Sequence, residues 1–289
     1  MIRIRHTAVL SLLAALLMAP AAHAGPWTHG PGGGYAKAWF SLLPGVGWSR
    51  ELGSPPELTG YYQEAFVGTY AEIGFAPRLD ATLHWTPLRT FLLVDSVDAP
   101  TVAASVGEPA VGLRWQAVQA GRFAMAFEVL LRAPTQSNAP VAAVHNVAGE
   151  EVGQLRIASG VFEAQGGLSM GLGFDRLYLA WGAWAMKRGG GFDSVITWSA
   201  EAGTDAGKHK RWSVRLRVAG RHGLRDGSAA YHQSPSGMGN GTEYVAFTLE
   251  GDYRLVEGLW LGLSLGGGLG PVVRQIGGPQ LALSLSHRF

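Results

Sequence analysis

The chain of 289 residues contains no cysteine. Disulfides, thiol nucleophiles and cysteine-based metal sites are excluded, so an exported form cannot draw stability from cross-links. Long hydrophobic runs are missing too: nothing after Gly25 offers the ~18 uninterrupted apolar residues of a spanning helix. Any passage across a bilayer must therefore use strands. Charged residues make up only 15%, where a soluble domain carries about 25%. The net charge of +2 is spread thinly, and no block of Lys and Arg points to nucleic acid as a partner.

What is present at the start is a secretory pattern. Arg3 and Arg5 precede an apolar stretch, Ala8–Met18, and Pro20 then precedes the small-x-small site Ala22-His23-Ala24. Residues 1–24 read as a cleavable signal peptide and residues 25–289 as one mature domain. The apolar stretch is too short for an anchor, which needs about 20 residues.

At the other end, Leu281, Leu283, Leu285, His287 and Phe289 alternate with Ala282, Ser284, Ser286 and Arg288. A period of two means a strand, and an apolar face set against a small, polar one suits lipid on one side and a barrel interior on the other. The ending resembles the terminal signal that bacterial outer-membrane barrels present to their assembly machinery, with those five residues as its elements.

Alternating segments of about ten residues recur along the chain. They fall near Gly34–Leu42, Tyr61–Phe75, Leu79–Thr86, Pro109–Val118, Phe123–Arg132, Val161–Phe174, Leu177–Met186, Ser194–Gly203, Trp212–Gly220, Thr242–Tyr253 and Leu259–Gly266, with the C-terminal strand last. Connections alternate between long and short, and Gly, Pro, Asp and Asn mark nearly every boundary. The longest runs over residues 133–157. The expectation is an all-β fold: a single antiparallel transmembrane β-barrel of about twelve strands, within bounds of ten and fourteen, its short turns periplasmic and its long loops outside.

Alternation also assigns faces. Val111, Leu113, Trp115, Met125, Phe127, Val129, Leu131, Trp212, Val214, Leu216, Val218 and Leu259, Leu261, Leu263, Leu265 point outward. A one-residue slip would put Arg215 and Arg217 into lipid, at roughly 2–4 kcal/mol for a midplane Arg. Trp85, Trp115, Trp181, Trp198, Trp212 and Tyr244 are candidates for a headgroup belt. The expected lumen lining is Lys37, Glu64, Tyr70, Glu72, Asp80, His84, Arg114, Glu128, Arg132, Glu163, Glu201, Arg215, Arg217, Glu250, Asp252 and Arg288. Opposite charges fall on neighbouring strands, Arg114 near Glu128 and Glu201 near Arg215, as a polar passage or a locked charge network requires. Tyr35, Trp39, Tyr62, Phe66, Tyr178 and Trp184 join this inward set, which fits moderately apolar or amphipathic solutes better than a general porin does.

A catalytic alternative rests on His232 and Ser234, whose His-x-Ser spacing puts a base beside a hydroxyl on one strand face. The tripeptide resembles that of outer-membrane phospholipase A, and the following Asn240–Glu243 loosely resembles lipid A deacylases, with Glu243 as third member. Ala246 stands where the phospholipase Asn belongs and Glu243 comes too early, so the bland reading is a polar outer loop. Gly203–Lys208 lacks the spacing and context of a phosphate loop. Gly32–Gly34 and Gly266–Gly268 read as flexible connections. His84, His145 and His222 are scattered, with no metal-site spacing. No cofactor and no metal are expected.

At whole-chain level the start Gly25-Pro26-Trp27, the first strand Gly34–Phe40 and the ending Leu285–Phe289 resemble a loose class of proteobacterial transporter-like barrels, related in pattern to those of aromatic-degradation (phenol) pathways. The resemblance implies an outer-membrane channel or transporter for small, apolar or aromatic solutes in a Gram-negative cell. Its partners would be outer-membrane lipids and lipopolysaccharide, the barrel-assembly machinery and the solute, with no nucleic acid. The alternatives are the barrel-type lipid hydrolase above and a non-conducting structural or adhesive barrel.

Overall fold

A computed structural model describes residues 25–45, 47–48, 61–94, 97–145, 148–207, 209–227, 234, 236–269 and 276–289. The signal-peptide assignment and His232 lie outside them. Twelve strands form the wall: β1 (Gly34–Gly45), β2 (Tyr61–Ala76), β3 (Leu79–Val94), β4 (Ala110–Ala120), β5 (Phe123–Arg132), β6 (Glu163–Gly173), β7 (Leu177–Arg188), β8 (Val195–Ala206), β9 (Trp212–Gly223), β10 (Tyr244–Val256), β11 (Leu259–Gly268) and β12 (Gln280–Arg288). Each pairs antiparallel with its neighbours in sequence, and β1 closes on β12 from Tyr35↔Arg288 to Leu42↔Leu281. Closure leaves no unpaired edge between first and last strand, as a spanning sheet requires.

The turns on one side are tight. Arg78, Gly121, Gly207 and Gly258 take positive φ there, where the chain must reverse within a few residues. Outward residues form an apolar band: Val111, Leu113 and Trp115, Phe127, Val129 and Leu131, Val214 and Leu216, Leu261 and Leu263, and Leu281, Leu283 and Leu285 are all exposed. Leu263, at 63%, exposes more of itself than an ordinary core leucine could. A belt this long, apolar and outward suits hydrocarbon rather than water.

Several elements depart from the alternation-based assignment. β3, expected to end at Thr86, continues through Pro87 to Val94. The pairing steps from Thr69↔Trp85 to Val67↔Leu88, so Pro87 falls in a bulge where its missing N–H breaks no ladder bond. The upper half of β3 then pairs with an extra segment, Thr101–Ser105, inside what reads as a loop. The longest connection holds a hairpin of its own, Pro140–His145 against Glu151–Arg156. Gly266–Gly268 belong to β11 rather than to a flexible link, and Gly203–Ala206 is simply the end of β8 before the Gly207 turn.

Candidate functional site: the barrel interior

The interior is a row of cross-strand ion pairs. Arg114 on β4 donates from Nε to Glu128 Oε1 on β5 at 2.7 Å and places Nη1 2.9 Å from Glu72 Oε1 on β2. Tyr70 bonds the same Glu72 oxygen and accepts from Arg114 Nη2 at 3.1 Å. Arg215 on β9 bridges Glu250 (2.9 Å) and Asp252 on β10, and Lys37 on β1 reaches Glu250 from the other side. Glu201 was expected to face Arg215, but the β8–β9 register sets it opposite Arg217, with which it pairs at 2.6 Å. Tyr178 also donates to Glu201. Glu163 on β6 lies 3.1 Å from Arg188 and 3.5 Å from Arg132, its register partners on either side. Arg288 stacks over the Trp260 ring at 5.0 Å. His84 packs edge-on to Tyr70, centroids 4.5 Å apart. His145 sits by Asp98 and His222 beside Trp198, so the three histidines stay apart.

Chain preceding β1 enters this interior. Residues 25–33 run from β1 to β6 and β7, half the strand order away and hence across the lumen. Gly32 and Gly74 anchor one end (Gly32 N–H to Gly74 O, 2.8 Å), and His29 N–H donates to both Asp80 oxygens at 3.1 Å. Thr28 Oγ1 donates to Gln116 Oε1 on β4 at 2.8 Å. Pro26 is fully buried, and Trp27 meets Tyr178 of β7 edge-to-face, centroids 6.2 Å apart. Gly171 on β6 makes room for that indole: a Cβ there would lie 2.5 Å from a Trp27 ring carbon. This strap crosses the end of the barrel where the tight turns lie.

The opposite mouth is covered by loops. Tyr62, Phe91 and Leu93, inward at the upper ends of β2 and β3, form an apolar cluster with Val144 and Leu155 of the loop hairpin. The loop before β10 crosses from Arg89 to Arg188: Arg188 donates to the Met238 and Gly239 carbonyls at 3.1 and 3.2 Å, and Arg89 reaches Met238 Sδ at 3.9 Å. Buried Asp193 ties it further, accepting from Gly241 N–H at 2.7 Å and Gly227 N–H at 2.8 Å. Ser234, the proposed nucleophile, is fully buried in this cap, where its Oγ accepts from Arg156 N–H at 3.0 Å and bonds Ser236 Oγ at 2.8 Å. Glu243 faces Arg225 at 3.5 Å. The hydroxyl is held by the cap's own backbone and by Ser236.

Between strap and cap lies a cavity of about 510 Å³, lined among others by Thr82, His84, Arg114, Glu128, Trp184, Arg217 and Tyr244. The strands give its level directly: on β3, Asp80 touches the strap and Arg89 the cap, with Thr82 and His84 between them; on β7, Tyr178, Trp184 and Arg188 hold the same order. Tyr244, expected in a headgroup belt, instead faces this cavity. Trp184 donates from Nε1 to Glu128 Oε2 at 2.9 Å, which fixes its ring as a wall of the chamber.

A closed antiparallel barrel with an apolar outer band and an ion-paired, partly aromatic interior is the architecture of outer-membrane β-barrels. No protein-family model matches the chain, and no curated protein matches it in sequence. Among solved structures it is similar to the COG4313 outer membrane channel from Pseudomonas putida F1, with a TM-score of 0.63 at 10% identity over 93% of this chain and 100% of that one. The β domain of the Bordetella autotransporter BrkA gives 0.52 at 11% identity, over 89% and 100%, and the NanC porin 0.49 at 7%, over 88% and 100%. At such identities the likeness is one of fold.

Proposed function

We propose that this protein is an outer-membrane channel for small, apolar or aromatic solutes. The observation that carries this reading is the chamber. At about 510 Å³ it falls within the ~300–1,000 Å³ of small-molecule sites, and it pairs ring faces (Trp184, Tyr244, His84) with a few fixed charges. An aromatic solute finds stacking surfaces there, beside charged side chains held in place by cross-strand partners. Passage requires the strap or the cap to move, because both ends of the chamber are covered. The channel described for the Pseudomonas barrel of like fold supports the same reading.

Uptake of a small labelled aromatic acid into proteoliposomes tests it. Influx should exceed that of protein-free liposomes, and Trp184→Ala should change the rate, since it removes a chamber wall. Influx equal to the protein-free control would overturn the proposal.

A further inference from the structure

The strap meets the wall at a cluster unlike the other ion pairs of the lumen. His29 Nδ1 lies 3.1 Å from Asp80 Oδ2 and 3.4 Å from Glu72 Oε2, and all three atoms lie within 4.8 Å of one another. Asp80 is wholly buried and Glu72 nearly so. We infer that His29, Glu72 and Asp80 form a site for one divalent transition-metal ion, which fastens the strap to β2 and β3.

Three observations support the assignment. Ligand atoms about 2 Å from a tetrahedrally held Zn²⁺ sit about 3.3 Å apart, close to both nitrogen–oxygen separations found here. One nitrogen with two carboxylate oxygens is a donor set for Zn²⁺ and its neighbours, whereas Mg²⁺ and Ca²⁺ favour all-oxygen shells. Charge gives the third. Glu72, Asp80 and Glu128 share one guanidinium, that of Arg114, which pairs with Glu72 and Glu128. Their other described donors, Tyr70, Trp184 and Ser169, are neutral, as is the His29 amide on Asp80. Two negative charges remain, and Asp80 and Glu72 are both buried. A proton on His29 would balance one of them; a divalent ion balances both, and uncompensated buried charge is costly.

The strap itself orders the ligands. The His29 amide on Asp80 holds that carboxylate at the strap, and Arg114 with Tyr70 holds Glu72 through Oε1, leaving Oε2 turned to the imidazole. Three protein donors would leave one position of a tetrahedral shell for water. Displacing the strap would remove His29 and break the site, so bound metal favours the closed lumen. That consequence for passage rests on the channel reading; binding of the ion does not.

The test uses the mature protein in detergent, stripped with chelator and titrated with ZnCl₂ at neutral pH. One Zn²⁺ per chain should bind, and His29→Ala, which alters no strand, should lower the affinity at least tenfold. Asp80→Asn should do the same if it still migrates as a folded barrel, and Co²⁺ should give the visible absorption of a nitrogen–oxygen site in wild type only. Absence of binding, or equal binding in His29→Ala, overturns the site. Stoichiometric zinc binding in a protein that takes up no solute supports the site while contradicting the channel.

Discussion

Arg114 holds two carboxylates from two other strands, and its side chain is only 9% exposed. Arg114→Ala would leave buried Glu72 and half-buried Glu128 without their shared cation, so it should cost about 3 kcal/mol in urea unfolding. Lys187→Ala should cost under about 1 kcal/mol, because its pair with Asp226 is exposed on both sides. Similar losses for the two would contradict the network drawn here. Outside the wall, Asp226 accepts from the Ser194 hydroxyl and amide, with Lys187 nearby, and these hold its carboxyl down at about 2. A depressed pKa contributes stability that is present above the ordinary carboxylate value and lost as pH falls through about 2. Amide exchange at Ser194 should thus stay slow at pH 4 and quicken near pH 2, and Asp226→Asn should remove that pH dependence. At this scale the sequence showed which side chains face inward but not who pairs with whom. Alternation gives parity, whereas Glu201 meeting Arg217 rather than Arg215 depends on a two-residue step in register that only the folded turn fixes.

Strands were the most legible elements, since each carries its own two-residue period: β5 begins and ends where the alternation does, at Phe123 and Arg132. Pro87 hid the upper half of β3, because a proline reads as a strand end unless a bulge receives it. The strap was not legible at all. Gly25–Gly33 has no period, its Gly30–Gly33 run signals only a turn, and His29 stands 43 residues from Glu72 and 51 from Asp80, so no local spacing joins them. One hint existed: Gly167, Gly171 and Gly173 on the inward face of β6 mark a close approach by something bulky. Gly171→Val should therefore push Trp27 aside and raise single-channel conductance several-fold. Gly166→Ala is the control on the same strand, its nearest neighbour a backbone oxygen 4.0 Å away, and it should change nothing. Equal conductance in both variants would count against Trp27 lying where it does.

As a whole, the molecule is a cylinder stabilised from outside by apolar contact and from inside by paired charge, and its fold follows from the alternation that separates the two. Its closure could be read from an even count of strands with both chain ends on the short-turn side. The filling of that cylinder could not, because strap and cap are irregular chain placed by contacts from distant strands. Closure of the lumen at both ends is the claim on which chamber and passage depend. Planar-bilayer recording of residues 25–289 against a variant that also lacks residues 26–30 tests it most directly. The wild type should show small steps or none, and the shortened chain steps several-fold larger with the barrel intact by heat-modifiable migration. Equal steps from the two would mean that residues 26–30 do not obstruct the lumen.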